Sequence, residues 1–224
     1  MAYIFSDRRE AGQTLAATLL SQLGARSEPI VLALPRGGVP VALEVARAFK
    51  APLDVLTTQR LEVPGHDGLS MGAVASGPVL VLQPSVIRRF EVSEETITRV
   101  VRKQSRQLER RERAYRSDAQ ATPLHDQTVL LIDDGSSELT APVAAITAIR
   151  ARRAKRLILA LPVASRPSCA HLLRLVDDLV CLAMPTPFDG VASCYRDFSP
   201  VSDLDVRRMH SEAGWRVQRS RYLH

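Results

Sequence analysis

The segment LIDDGSSELTAP, residues 131–142, decides the fold. It completes an apolar run that predicts a buried strand over Thr128–Asp133, and apolar residues then return at helical spacing, which predicts a helix over Ala141–Arg152. Two adjacent carboxylates, Asp133 and Asp134, therefore stand at the end of the strand. Because burying both charges is costly, we expect them to face a cleft and to hold hydroxyl groups or a cation. An ordinary Asp-Asp-Gly turn is an equally good interpretation at this point.

The same alternation of short apolar runs and helical spacing extends on both sides of this segment. The further predicted strands are Pro29–Leu34, Leu53–Thr58, Arg156–Val163 and Leu179–Ala183. The further predicted helices cover Ser6–Leu23, the stretch from Ala42 to Phe49, and Pro167–Val176, with a last helix capped by Ser202. Strands that alternate with helices in this way indicate an α/β fold with a doubly wound parallel sheet, which we expect to form one domain over residues 1–224.

Two segments interrupt the alternation. Residues 59–90 are rich in glycine and proline and predict a small flap beside the core, with a hairpin turning at Ser76-Gly77-Pro78. Residues 93–116 predict one long helix in which basic side chains predominate.

A second candidate binding segment is LPRGGVP, residues 34–40, which follows the first strand. In open α/β sheets, ligands bind beyond the carboxyl ends of the strands. Arg36 supplies a positive charge there, Gly37 and Gly38 let backbone amides approach an anion, and a helix begins directly afterwards. The segment is thus a candidate phosphate cradle, although a tight turn in which the glycines serve only conformation fits equally well. Arg60, after the second strand, is a weaker candidate.

Composition narrows the class of protein. The chain has 224 residues and a formal net charge of +6, which admits anionic partners such as phosphorylated metabolites or nucleic acid. Its three cysteines form neither a Cys-x-x-Cys pair nor an even set, which favours a reducing cytoplasm. We expect no membrane helix, because the longest uncharged run is broken by glycine and proline.

These segments resemble the type I phosphoribosyltransferases, and most closely a bacterial stand-alone branch of that family. The resemblance rests on Asp7–Gly12, Leu32–Ala46, Leu53–Ala75, Val129–Thr140, Leu161–Ala164 and Tyr195–Ser199. It implies a phosphoribosyl pyrophosphate or nucleoside monophosphate ligand, with Mg²⁺ as cofactor, and transfer of the phosphoribosyl group to a nitrogenous acceptor. The small-molecule ligand would be the main partner, and a homodimer is a further expectation.

The resemblance also implies roles for particular residues. Asp133 and Asp134 would hold the ribose hydroxyls and the metal, and Arg36, Gly37 and Gly38 would face the pyrophosphate. The 5'-phosphate would be cradled by Gly135, Ser136, Ser137, Glu138, Leu139 and Thr140. Arg60 would contribute charge, and Tyr195, in a late loop, would contact the acceptor or pack in the core. The expected catalytic set is Asp133, Asp134 and Arg36.

Two departures from the family pattern favour a second hypothesis. Glu138 stands where a hydroxyl is expected and Leu139 where a glycine is expected, and a carboxylate about 4 Å from a phosphate costs roughly 1 kcal/mol in water and about 4 kcal/mol at an effective dielectric of 20. The alternative is therefore a catalytically degenerate member that acts as a nucleotide-sensing or regulatory binding protein. One explanation of Glu138 is that its carboxylate covers the N-terminus of the following helix and occupies the anion site.

The basic helix is the remaining signal. Between residues 97 and 116 it carries eight cationic side chains against Glu109 and Glu112, and the arginines are expected to point outward. A solvated helix face is favoured over a nucleic-acid contact, which stays open as part of the regulatory alternative. Aromatic residues form only 4% of the chain, so single-stranded RNA recognition has little support.

Overall fold

The structure of the protein is a computed structural model, which describes residues 4–77, 79–116 and 120–221. Seven α-helices are found there: α1 Arg8–Leu23, α2 Gly38–Phe49, α3 Pro84–Arg89, α4 Glu94–Arg116, α5 Thr140–Ala151, α6 Arg166–Leu172 and α7 Asp203–Arg221. The eight strands are β1 Ile30–Ala33, β2 Leu53–Val55, β3 Thr58–Glu62, β4 Ser70–Ala75, β5 Val79–Leu82, β6 Thr128–Ile132, β7 Arg156–Val163 and β8 Asp178–Ala183.

Five strands form the central sheet in the order β2-β1-β6-β7-β8, and every neighbouring pair is parallel. The inner strands are continuous apolar runs because helices cover both faces of the sheet. One face packs on α1 and α2 through residues such as Leu15 and Val45. The opposite face packs on α5 and α6 through Ile149 and Leu172. The predicted α/β fold with a parallel sheet wound on both sides is confirmed.

Three of the helices begin at residues whose side chains accept from free backbone amides. The Asp7 carboxylate accepts from the amide of Glu10 at 2.8 Å and so caps α1. The Ser165 and Ser202 hydroxyl oxygens do the same for α6 and α7. The predicted cap at Ser202 is therefore present.

The flap is a separate antiparallel sheet in the order β3-β4-β5. It packs against α4 through an apolar cluster that includes Leu61, Met71 and Leu108. The predicted hairpin is β4–β5, with Ser76 and Gly77 in its turn. Pro78, the third residue of that predicted turn, lies outside the described residues.

Two predicted boundaries are wrong. The expected strand Leu53–Thr58 is divided, because β2 ends at Val55 in the central sheet and β3 begins at Thr58 in the flap. The chain thus changes sheets at Leu56 and Thr57. Helix α6 ends at Leu172 rather than at Val176, because the following residues close a turn in which the amide of Leu175 donates to the Leu172 carbonyl.

One arginine of the basic helix departs from the expected outward orientation. Arg116 is buried, and its Nε donates to the Asp54 carboxylate at 2.8 Å. A second guanidinium nitrogen donates to Glu112 at 3.0 Å. The helix is therefore fixed to the edge of the central sheet by a buried ion pair at its C-terminal end.

Within the described residues, the helices are all too short or too polar to cross a membrane.

Candidate functional site

The glycine turn after β1 and the acid pair after β6 are in direct contact. A methyl group on Gly37 would lie 2.0 Å from Oδ2 of Asp134, and one on Gly38 would lie 2.9 Å from Cα of Asp133. Gly37 has an ordinary φ of −63°, so the requirement for glycine comes from this close approach and not from backbone conformation. The peptide bond between Pro35 and Arg36 is cis. The structure thus brings the two predicted segments together at one edge of the sheet.

The two carboxylates of the acid pair have different surroundings. Asp133 is half-buried, and its Oδ1 accepts from the amide of Asp134 at 2.9 Å. Burial, reinforced by the neighbouring charge of Asp134, raises the pKa of Asp133 well above its usual range. Oδ2 of Asp134 accepts from Nε of Arg8 at 2.7 Å, so this carboxylate already has a positive partner.

Arg8 is held in place by three contacts. Besides Asp134, it donates to the carbonyl of Ser199 at 2.9 Å, and its guanidinium lies 3.7 Å from the ring centroid of Phe198. The side chains of Arg8 and Asp134 retain only 11% and 14% of their exposure. The first turn of α1, the acid pair and the loop before α7 are therefore fixed to one another.

Tyr195 contacts the backbone of the acid pair from within the core. Its hydroxyl donates to the backbone carbonyl of Asp134 at 2.6 Å, and its ring packs against Phe5 and Phe198. Only 2% of the residue is exposed. Of the two expectations for Tyr195, packing in the core is the one observed. Tyr195 is a positioning residue.

The predicted phosphate loop connects β6 to α5. Gly135 has φ 146°, and an added methyl group would lie 2.7 Å from both Val163 and Val191, so this position requires glycine. The Ser136 hydroxyl is buried and donates to the carbonyl of Glu138 at 2.7 Å, whereas Ser137 is exposed. The serine hydroxyl thus tightens the loop from inside.

The end of the loop forms the start of α5. Leu139 is the N-cap residue with φ −104° and ψ −21°, an ordinary conformation for a residue with a β-carbon. Its side chain cannot accept a hydrogen bond, so the first amides of α5 have no side-chain cap. The buried Thr140 hydroxyl accepts from Gln83 of the flap at 2.8 Å. The helix start is therefore tied to the flap.

A hollow of about 280 Å³ lies in front of this loop. Its walls come from the β1 turn, the β2–β3 connection, α4 and the start of α5. They are formed by Pro35, Arg36, Thr57, Thr58, Gln59, Arg60, Arg111, Tyr115, Glu138 and Ala141. Three arginines against one glutamate make the hollow favourable for an anion.

The Glu138 carboxylate pairs with another residue of the hollow and does not cover a helix N-terminus. Its Oε2 lies 3.5 Å from a guanidinium nitrogen of Arg60. Both side chains keep more than 40% of their exposure, 42% for Glu138 and 46% for Arg60. The hypothesis that Glu138 caps α5 is therefore wrong, and its partner is the arginine of the flap.

Several site residues were not predicted from the sequence. Arg8 lies in a segment that resembles the family, Asp7–Gly12, but nothing near it in the sequence indicates a contact with Asp134, which is 126 positions away. Thr57 lines the hollow, and its buried hydroxyl oxygen has no hydrogen-bond partner among the described residues. Arg111 and Tyr115 reach the hollow from the basic helix, whose contact with the flap no local pattern indicates.

A bound Mg²⁺ would find two carboxylates here and not a complete cage. Among the described residues, no group of three or more acidic, histidine or cysteine side chains converges as a metal site. Asp133 and Asp134 nevertheless fit the usual mode for Mg²⁺, in which one or two carboxylates and the phosphates of a ligand share the ion.

The chain is similar to proteins described as phosphoribosyl transferases. Two curated proteins from strains of Mycobacterium tuberculosis, each named "Putative phosphoribosyl transferase", are 38% identical to it over 203 residues. The alignment covers 91% of this chain and 45% of each relative, so the chain spans about half the length of these relatives. No model of a protein family matches the chain.

A solved structure of the same size is also similar. The crystal structure of the protein TT1426 from Thermus thermophilus is 35% identical, covers 93% of this chain and 98% of its own, and superposes with a TM-score of 0.78. The chain belongs to the phosphoribosyltransferase family, and the resemblance drawn from the sequence is confirmed.

Proposed function

We propose that this chain binds phosphoribosyl pyrophosphate with Mg²⁺ and transfers its phosphoribosyl group to a nitrogenous acceptor. The observation that carries the proposal is the contact between Gly37 and Asp134, which places a cationic, glycine-rich turn against a carboxylate pair at the carboxyl edge of a parallel sheet. One ligand that bears phosphates and ribose hydroxyls can engage both segments at once.

The 5'-phosphate has a donor set at the start of α5. The first amides of this helix are uncapped by Leu139 and lie at the positive end of the helix dipole. Gly135 and Ser136 hold the loop in shape, since one needs a positive φ and the other closes the loop with its hydroxyl. The loop therefore presents backbone donors without needing the family's usual hydroxyl at Glu138.

The pyrophosphate would occupy the hollow. Arg36 and Arg60 supply charge from two sides, and the partnerless hydroxyl of Thr57 offers a hydrogen bond. Without a ligand, a guanidinium nitrogen of Arg60 forms an ion pair with Oε2 of Glu138 at 3.5 Å. Ligand binding at this position requires the guanidinium to exchange a carboxylate partner for a phosphate.

The acid pair would hold the ribose hydroxyls and, with the phosphates of the ligand, Mg²⁺, which supplies charge neutralisation for the leaving pyrophosphate. Asp133 accepts hydroxyl hydrogen bonds best when it is ionised, and its raised pKa opposes that state until a cation or ligand arrives. Asp134 is oriented by Arg8 and by the Tyr195 hydroxyl bond to its carbonyl.

The chemistry asked of these residues is positioning and charge stabilisation. Departure of pyrophosphate leaves an oxocarbenium-like ribose, which a fixed carboxylate pair stabilises, while Arg36 stabilises the charge that develops on the leaving group. The acceptor nitrogen then forms the new bond to C1 of the ribose, and its proton passes to the departing pyrophosphate or to water. The protein contributes no covalent nucleophile in this scheme.

Pyrophosphate release, assayed with phosphoribosyl pyrophosphate, Mg²⁺ and a panel of purine, pyrimidine and other nitrogenous acceptors, tests the proposal. We expect acceptor-dependent release that Asp134→Asn and Arg36→Ala reduce by at least about tenfold, whereas Arg174→Ala, an exposed residue that does not line the hollow, leaves it unchanged. Ligand binding without release with any acceptor would contradict transfer and support the regulatory alternative. Absence of both would contradict the proposed site.

A further inference from the structure

A row of cationic side chains runs along the solvent side of α4. The row, here the cationic stripe, consists of Arg99, Arg102, Lys103, Arg106 and Arg110. All of them are exposed, and at 3.6 residues per turn they fall within an arc of about 100°. The opposite side of the helix carries Val101 and Leu108, which pack on the flap. The stripe is thus displayed by a helix that is already anchored on its other face.

The stripe residues form no ion pair among the described residues, although one acid, Glu95, lies on the same face. Other arginines of this protein pair with carboxylates, as Arg150 does with Asp177 at 3.0 Å and Arg116 with Asp54 at 2.8 Å. Within the described ranges, no stripe residue lies within 4 Å of a carboxylate. Five like charges on one face repel one another, which an anionic partner would relieve.

The dimensions of the stripe fit a linear array of anions. Arg99 and Arg110 are eleven residues apart, which is about 16 Å along a helix that rises 1.5 Å per residue. A space of about 720 Å³ lies between the splayed side chains of this single helix face, so it is an open groove and not an enclosed pocket. A nucleic-acid duplex presents one charge for every 1.7 Å or so of its axis, or about ten over that length. The stripe can therefore neutralise several phosphates of one duplex together.

The surroundings of the stripe discriminate among anionic partners. A membrane-surface helix needs an exposed apolar face, but the apolar face of α4 is occupied by the flap. Single-stranded nucleic acid is usually held by aromatic stacking, and no aromatic residue belongs to the stripe. An acidic peptide would need an apolar anchor as well as charge, and the groove is lined otherwise only by Glu95, Thr98 and Gln107.

We propose that the cationic stripe binds the phosphate backbone of double-stranded nucleic acid, independently of the hollow. None of its residues lines that hollow, which α4 reaches instead through Arg111 and Tyr115. We expect these side chains to contact phosphates and not bases. Binding should therefore not depend on the nucleotide sequence, because the stripe consists of arginine and lysine side chains on one helix face and has no segment that could enter a groove of the duplex. Arginines form four of its five members, as suits bidentate phosphate contacts.

Fluorescence anisotropy with labelled 20-base-pair DNA and RNA duplexes tests the proposal. With three to four phosphate contacts, affinity should fall about 40- to 150-fold between 50 and 200 mM salt. The variant Arg102→Glu/Arg106→Glu/Arg110→Glu should bind at least about tenfold more weakly at low salt and lower the salt slope by about 2.7. The same variant should bind phosphoribosyl pyrophosphate as tightly as the natural chain. The experiment can therefore contradict duplex binding by the stripe without contradicting ligand binding in the hollow, and the reverse also holds.

The matched control is Lys155→Glu/Arg166→Glu/Arg174→Glu, which changes the net charge equally at exposed positions outside α4. Its duplex affinity should stay within about threefold of the natural chain. Equal loss in both variants would overturn the proposal, because binding would then follow net charge alone. Tighter binding of single strands than of duplexes, or binding only to phosphatidylserine vesicles, would overturn it as well. Circular dichroism of both variants confirms that the comparison is between folded proteins.

Discussion

Nε of Arg8 lies 2.7 Å from Oδ2 of Asp134, although the two residues are 126 positions apart. This ion pair fixes one carboxylate of the acid pair to the first turn of α1, while the Phe198 ring covers the other side of the guanidinium. The orientation of Asp134 is thus set before a ligand arrives. Asp133, which has no such partner, keeps a raised pKa.

Removing Arg8 should destabilise the protein and make its stability depend on divalent cations. Arg8→Ala leaves Asp134 beside Asp133 without a positive partner, and the loss of one member of a mostly buried pair costs about 3 kcal/mol or more. For a domain of this size, the melting temperature should fall by roughly 6–12 °C. Thermal denaturation with and without Mg²⁺ measures both effects.

Arg9→Ala is the matched control for that experiment. Arg9 is 71% exposed and lies 3.8 Å from Glu44, so its removal should change the melting temperature by less than about 2 °C. Mg²⁺ should raise the melting temperature of Arg8→Ala more than that of the natural chain or of Arg9→Ala. Equal shifts in all three proteins would show that Arg8 does not act as the counter-charge of the acid pair.

Replacing Asp133 by asparagine should stabilise the protein near neutral pH. The folded state resists ionising Asp133, whereas the unfolded chain ionises an aspartate near pH 4, so the natural protein loses stability as the pH rises from that value towards the raised pKa. Asp133→Asn has no such loss and keeps the acceptor for the Asp134 amide. Its melting temperature should exceed that of the natural chain by a few degrees at pH 7.5 and match it near pH 4.

The exposed Asp189 supplies the comparison, since Asp189→Asn should leave the melting temperature unchanged at both pH values. The prediction for Asp133 fails if its variant is equally or less stable than the natural chain at pH 7.5. The same variant should bind phosphoribosyl pyrophosphate more weakly, which would show that the unfavourable carboxylate is retained for ligand binding.

Neutralising Glu138 should strengthen the binding of inorganic pyrophosphate. Glu138→Gln releases Arg60 from its 3.5 Å ion pair and removes a negative charge from the hollow. The side chains of Glu138 and Arg60 are 42% and 46% exposed, so the removed repulsion between Glu138 and the ligand should be close to the value for two charges in water. The binding free energy should therefore improve by about 1 kcal/mol, or about fivefold in affinity. Glu28→Gln makes the same change of net charge at an exposed position outside the hollow. A fivefold gain in both variants, measured by calorimetry, would assign the effect to net charge.

The buried ion pair at the edge of the sheet should contribute more to stability than an exposed one. Burial opposes ionisation of Asp54, but a hydrogen bond from His210 and the charge of Arg116 outweigh it and hold the pKa of Asp54 well below its usual range. Asp54→Asn should therefore cost about 3–5 kcal/mol in urea unfolding at pH 7. The stabilisation is present above pH 4 and is lost as the pH falls towards the lowered pKa.

Asp178→Asn breaks the pair with Arg156, whose side chains are 46% and 50% exposed, and should cost less than about 1 kcal/mol. Similar losses of unfolding free energy in Asp54→Asn and Asp178→Asn would contradict the claim that the buried pair contributes more to stability than the exposed one.

The sequence was sufficient to predict the central strands, which are continuous apolar runs, and the helices other than α3. Helix α3 was missed because it buries no residue, and β3 was not separated from β2. It predicted β7 with its observed ends, and it placed the glycine turn and the acid pair at the same edge of a parallel sheet. It also indicated the hairpin of the flap, because the turn residues Ser76 and Gly77 separate two apolar runs.

Side-chain partners between distant segments were beyond prediction. Nothing local to Glu138 indicates that its carboxylate meets Arg60, which the flap brings across the hollow from 78 positions away. Helical periodicity placed Arg116 outside, but its position next to Asp54 depends on how the end of α4 meets β2. Tyr195 likewise faces inward because the loop that carries it folds under Asp134.

Titration calorimetry of phosphoribosyl pyrophosphate with Mg²⁺, on the natural chain and on Gly37→Ala, tests the central claim most directly. The added methyl group would lie 2.0 Å from Oδ2 of Asp134, so it must displace the carboxylate from the turn. Gly65→Ala is the comparison: its methyl group meets no atom within 4 Å, and the strain from the φ of +79° at this position falls on a flap loop outside the hollow. We expect saturable one-to-one binding to the natural chain and to Gly65→Ala, and at least about tenfold weaker binding to Gly37→Ala. Equal affinity of all three proteins, or no binding to the natural chain, would contradict a single ligand site shared by the glycine turn and the acid pair.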